Sequence, residues 1–129
     1  MKLNFFLLLI VFSISQSIFS QTEYNVYRIK YRALDKSTNK YKTVESLNVN
    51  TKAFLSKKLF KVEKIDSTYD IFNISSFSNK DATEKTTYKI IAFWKNENQN
   101  VIMMYIDIKG ERQMNIFGPG YSITYYLNK

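Results

Sequence analysis

The chain has 129 residues, 19 Lys and Arg against 11 Asp and Glu, a formal charge of +8, and neither histidine nor cysteine. Those two absences exclude Ser-His-Asp and Cys-His centres, the usual neutral-pH general base, disulfides, and the common zinc and haem ligand sets. With glycine only at 110, 118 and 120 there is no phosphate-cradling loop, and no cofactor is expected.

The first stretch is MKLNFFLLLIVFSISQSIFSQ, in which Lys2 is the only charge before Glu23. Phe5 to Phe12 form an unbroken apolar run, suited to a signal peptide and short for a membrane span. Ser13, Ser15, Gln16 and Ser17 then interrupt it. Ser20-Gln21 is the expected cleavage point, with Ser15-Gln16 as a second choice and an uncleaved anchor as the alternative. Residues 1–20 are therefore read as a cleaved signal peptide and 21–129 as one domain, periplasmic or extracellular, with no transmembrane segment after cleavage. A bacterial lipoprotein anchor needs a cysteine, and there is none.

YNVYRIKYRALDK follows, and it poses a choice. Tyr27, Ile29 and Tyr31 alternate with Arg28, Lys30 and Arg32, which suits a nucleic-acid-binding strand or an amphipathic strand with one wet face. Strict alternation puts rings and cations on opposite faces. The three apolar residues are therefore expected in the core and the three cations in water, and nucleic acid is not expected as a partner. KSTN (36–39) reads as a turn and YKTVESLNVN as the returning strand, with Val44 and Leu47 out of phase as at a bulge. TKAFLSKKLFKVEKID admits two readings. Leu55, Leu59 and Val62 have helical spacing behind Thr51 as a cap, whereas Phe60 and Val62 alternate with Lys61 and Glu63 as in a strand. The strand is preferred. STYDIFNISSF is a further strand and SNKDATEK a polar loop.

The C-terminal half is more regular. TTYKIIAFWK places Tyr88, Ile90, Ala92 and Trp94 on one face, and NENQN is a hairpin loop. VIMMYIDI is apolar on both faces until Asp107, as expected of a strand covered on both sides. KGE supplies a tight turn around Gly110, RQMNIF a strand carrying Met114 and Ile116, and GPG (118–120) a break. YSITYYL closes the chain with Tyr121, Ile123, Tyr125 and Leu127 on one face. The sum is an all-β antiparallel meander of seven or eight short strands, closing as a small barrel, with a two-layer sandwich as the alternative.

The signal ending FSQ (19–21), the TYDI element (68–71), the aromatic strand before a loop in FWKNENQ and the tyrosine-rich YSITYYL together resemble the small secreted β-proteins of Bacteroidetes. Their more acidic loops and DG-type hairpin are missing here. That group has no established activity, so the resemblance implies a compartment and a fold class but no site.

For catalysis only a pair of carboxylates survives, with Glu45, Glu63, Asp70 and Asp107 as candidates. Their spacing brings no two together, and each is expected as a solvated strand residue, Asp107 at a strand end. Met103 and Met104 read as core filling. No acidic run has calcium-loop spacing. The chain is accordingly read as a non-catalytic exported binding or accessory protein of the bacterial envelope. Arg28, Lys30 and Arg32 would meet an anionic glycan or an envelope protein. The alternatives are a lipocalin-like carrier of a small apolar ligand, or an inhibitor of a secreted hydrolase acting through FGPGY or NENQN. Against the carrier stands the tendency of a barrel this small to fill its interior with its own side chains.

Overall fold

Strands rich in aromatic and β-branched residues need one covered face each, and a sheet closed on itself supplies it without leaving a free edge. The computed structural model describes residues 21–79 and 85–128. In it β1 (Thr22–Asp35), β2 (Lys40–Leu55), β3 (Leu59–Glu63), β4 (Tyr69–Asn79), β5 (Lys85–Trp94), β6 (Gln99–Ile108), β7 (Glu111–Gly118) and β8 (Tyr121–Asn128) form one closed antiparallel barrel. Each strand pairs with the next, and β8 returns to β1. No helix occurs among the described residues. The expected all-β meander is found as a barrel, and residues 52–65 are strand, turn and strand. The expected signal peptide at 1–20 and residues 80–84 of the expected SNKDATEK loop lie outside the described residues.

Local chemistry sets the turns. Lys109 and Gly110 both take positive φ, 51° and 86°, as a two-residue hairpin turn requires. Pro119 precedes Gly120 at φ 81°, where proline fixes the first central position and glycine accepts the left-handed second. At 36–39 the Asp35 carboxylate accepts the Ser37 N–H at 3.0 Å, and Asn39 takes the left-handed conformation. The Lys42 ammonium beside Asp35, with the Ser37 hydrogen bonds, holds that carboxyl down at about 2.

The interior at the end holding the β2–β3 and β6–β7 turns is filled. Phe60 lies 5.9 Å from both Phe72 and Tyr125 between ring centroids, and Ile90, Met103, Met114 and Leu127 are buried around them. Tyr24 and Tyr105 meet there through their hydroxyls at 3.3 Å.

Bulges alter the expected alternation in three strands. On β1, Val26 pairs with Leu127 and Arg28 with Tyr126, which leaves Tyr27 as an extra residue. Tyr24 and Val26 therefore face inward ahead of the bulge, and Ile29 packs on the core after it. Tyr27 itself stands 41 % exposed, so its expected core position is wrong. On β2 the extra residues fall at Val44, as anticipated, and within Val49–Asn50. On β4, Ser75 is extra, which keeps both Ile74 and Phe77 packed on the core. A second correction concerns β6. Val101, Met103 and Tyr105 are buried, but Ile102 on the outer face is 45 % exposed, because a single-layer barrel covers only one face of its strands.

The wall is uneven. β2 has 16 residues and β3 only 5, and they pair at just Ala53, Phe54 and Leu55. From Lys40 to Lys52, β2 pairs with β1 alone among the described residues. The barrel therefore closes firmly at one end and gapes between β2 and the β3–β4 hairpin at the other.

Candidate functional site

That gap opens into a cavity of about 530 Å³. Its walls come from β1 (Ile29, Tyr31), the length of β2 not paired with β3 (Leu47, Val49, Thr51) and β8 (Ile123, Tyr125), with Val62 toward the floor. The β3–β4 turn and Glu97 of the β5–β6 turn form its rim. An adjoining hollow of about 380 Å³ shares Tyr31, Trp94, Glu97 and Ile123 and reaches Arg32, Val44 and Tyr121. Cavities of this size accommodate a small organic molecule. The expectation of a barrel packed throughout by its own side chains holds for one end only.

The rim is built by hydrogen bonds to backbone. Asn96 accepts the Ile71 N–H at 3.1 Å and donates to the Tyr69 carbonyl at 3.0 Å, which continues the ladder of β4 into the β5–β6 turn. Within the β3–β4 turn, Lys64 N–H donates to the Thr68 carbonyl at 2.7 Å, and Asp66 accepts the Thr68 N–H at 3.1 Å. Ile65, 82 % exposed in that turn, and Val44, 69 % exposed on β2, stand at the mouths of the two hollows. On the opposite wall Gly118 leaves room for the Tyr121 ring, which a Cβ would meet at 2.2 Å. The Tyr121 hydroxyl then donates to Gln99 Oε1.

Polar groups inside are few. Trp94 stacks on Phe72 with ring centroids 5.2 Å apart, and its Nε1–H is buried with no hydrogen-bond partner among the described residues. The Thr51 hydroxyl is in the same condition. A buried polar group left unsatisfied costs about 1–3 kcal/mol, and both atoms are covered by protein behind the cavity wall. Asp70 shares the strand parity of Phe72 and lines the cavity, its side chain 15 % exposed and 3.3 Å from the Lys64 ammonium. Burial, then the charge of Asp70, pushes the Tyr31 and Tyr125 hydroxyls above the ordinary tyrosine value.

The four candidate carboxylates separate. Asp70 lines the cavity with its side chain 15 % exposed, which corrects its expected solvation, whereas Glu63 follows inward-facing Val62 on β3 and alternation turns it to the outer face. The sequence signal for Asp70 was its phase with Phe72 and Ile74, masked by Ile71 on the other face. Asp107 is a strand-end residue as expected, bound to Arg112 Nε at 3.1 Å and to the Gly110 N–H. Glu45 lies exposed on β2 opposite Tyr31. No group of three or more acidic side chains suited to a metal ion occurs among the described residues.

Arg28, Lys30 and Arg32 sit on the outer face, and the bulge brings aromatic rings beside them. Arg28 and Lys30 lie 5.7 and 5.8 Å from the centre of the Tyr126 ring, which in turn packs 6.0 Å from Tyr27. Arg32 reaches the Thr124 hydroxyl at 3.5 Å. Two of the three cations are thus engaged with an aromatic pair, and none belongs to the larger cavity. No helix among the described residues is long and apolar enough to cross a membrane. The chain matches no protein-family model, and no curated protein or solved structure is similar to it.

Proposed function

We propose that this is an exported, non-catalytic binding protein that carries a small, largely apolar molecule in the open half of its barrel. The observation that carries the reading is the cavity of about 530 Å³, walled mostly by apolar and aromatic side chains such as Ile29, Tyr31, Val49 and Trp94, with the polar side chain of Asp70 among them. Apolar walls with a few convergent polar groups are the composition of a small-molecule site. Export rests on the apolar run at Phe5–Phe12 and places the carrier in the periplasm or the medium.

Native mass spectrometry of the protein purified from its own host tests both parts. The chain is expected to begin at Gln21 and to carry an added small mass. A bare chain that also leaves Nile red fluorescence unchanged in solution would end the carrier reading, and a chain retaining Met1 would end the export reading.

A further inference from the structure

We infer that the carried molecule is an organic cation, an amine on an apolar or aromatic body, with its ammonium near Asp70 and its body among Trp94, Tyr31 and Tyr125. The inference rests on the carrier reading and adds the chemical class of the ligand.

The distribution of charge supports it. The chain is strongly basic, at +8, yet the cavity lining reverses that sign. Asp70 is the mostly buried carboxylate of the lining, and Asp66 and Glu97 add negative charge at the exposed rim, against the single ammonium of Lys64, whereas Glu63, next to inward-facing Val62 on β3, turns to the outer face. The adjoining hollow adds Arg32, and carboxylates still outnumber cations. A cleft with low-dielectric walls and charge of one sign focuses its field on the opposite sign.

Asp70 is the innermost charge. It is mostly buried, whereas the side chain of its partner Lys64 is 42 % exposed. A half-exposed ammonium forms a weak pair and can turn to water when a ligand amine replaces it. The charge of Asp70 is felt by the Tyr31 and Tyr125 hydroxyls, both raised after burial by that carboxylate. Aromatic faces beside a carboxylate complete a cation site, since each ring attracts positive charge above its plane. An anionic ligand would gain Lys64 and face Asp70 with Asp66 and Glu97 at the rim, while a neutral one would leave Asp70 without a role.

Trp94 is the only tryptophan in the chain and lines the cavity, so its fluorescence reports occupancy. Three probes of matched shape, phenylbutylamine, phenylbutanol and phenylbutanoate, separate charge from apolar fit. The amine is expected to bind about tenfold more tightly than the alcohol, and the carboxylate more weakly than both. Added salt should weaken only the amine toward the alcohol. Asp70→Asn should remove the advantage of the amine and leave the alcohol within about twofold. Glu97→Gln, at an exposed turn, gives a smaller loss in the same direction and serves if the first variant does not fold. Equal or tighter binding of the alcohol or the carboxylate would overturn the cation assignment and leave the carrier standing. Failure of all three probes, with Nile red also silent, would overturn both.

Discussion

The two ends of the barrel are made from the same strands and differ in how many side chains reach the interior. At the filled end β3 contributes Phe60 and Val62, both buried, opposite Phe72, Met103 and Tyr125. Toward the other end β3 has stopped after 5 residues while β2 continues for most of its 16. Leu47, Val49 and Thr51 then face a gap instead of a neighbouring strand, and the cavity occupies the space. One short strand thus divides the molecule into a core that holds it together and a hollow that is free to bind. In the proposed carrier, stability and binding fall at opposite ends.

That division is broken most directly by truncating one side chain at each end. Phe72→Ala removes a fully buried ring and is expected to cost about 3–5 kcal/mol in urea unfolding. Val49→Ala, in the cavity wall, should cost less than about 1 kcal/mol, because the wall is already short of neighbours. Similar losses at both positions would mean that the open end is packed in solution.

Alkaline unfolding sharpens the same contrast. Burial raises the Tyr125 and Tyr105 hydroxyls above the ordinary value of 10.0, with the hydrogen bond to Tyr24 adding to the effect at Tyr105. For an acid raised in the folded state, the contribution to stability is complete below the unfolded pKa. It is lost as pH rises from there through the folded value, as the unfolded chain releases the proton first. Stability is therefore expected to hold to about pH 10 and then fall, with these two tyrosines ionising only on unfolding. Free titration of Tyr105 in the folded protein, followed by tyrosinate absorbance, would show that the filled end admits water, and that of Tyr125 that solvent in the cavity reaches its hydroxyl beside Asp70.

The smallest effect concerns the cavity wall. Thr51→Val keeps the shape and removes a buried hydroxyl without a partner, so it should raise stability by about 1 kcal/mol in thermal melts of the ligand-free protein. A lower melting temperature would show that the hydroxyl is satisfied.

Much of the fold was legible because its signals are local. The turns at 36–39, at Lys109–Gly110 and at Pro119–Gly120 lie where Asn, Gly and Pro punctuate the chain. The inward faces Tyr88, Ile90, Ala92, Trp94 and Ile123, Tyr125, Leu127 follow strict alternation on unbulged strands. The candidate site was much less legible. Tyr27 was misplaced because the bulge that turns it outward shows only in its pairing with Tyr126 and Leu127 on β8, about a hundred residues away in sequence. Asp70 was read as solvated because apolar residues occupy both faces of TYDIFNI, so parity alone could not choose the interior. Arg28, Lys30 and Arg32 were correctly placed outside, but their engagement with Tyr126 depends on that same bulge.

The sequence by itself determined that this chain makes β-strands, where most of them turn, and which chemistries it lacks, since alternation, turn residues and missing residue types need no partner to be read. Only the tertiary structure decided that β3 pairs with three residues of β2, that a cavity opens beside the remainder, and that Asp70 of this basic chain lines it. Those outcomes depend on register between strands distant in sequence, and a shift of one residue there would send Asp70 to the outer face.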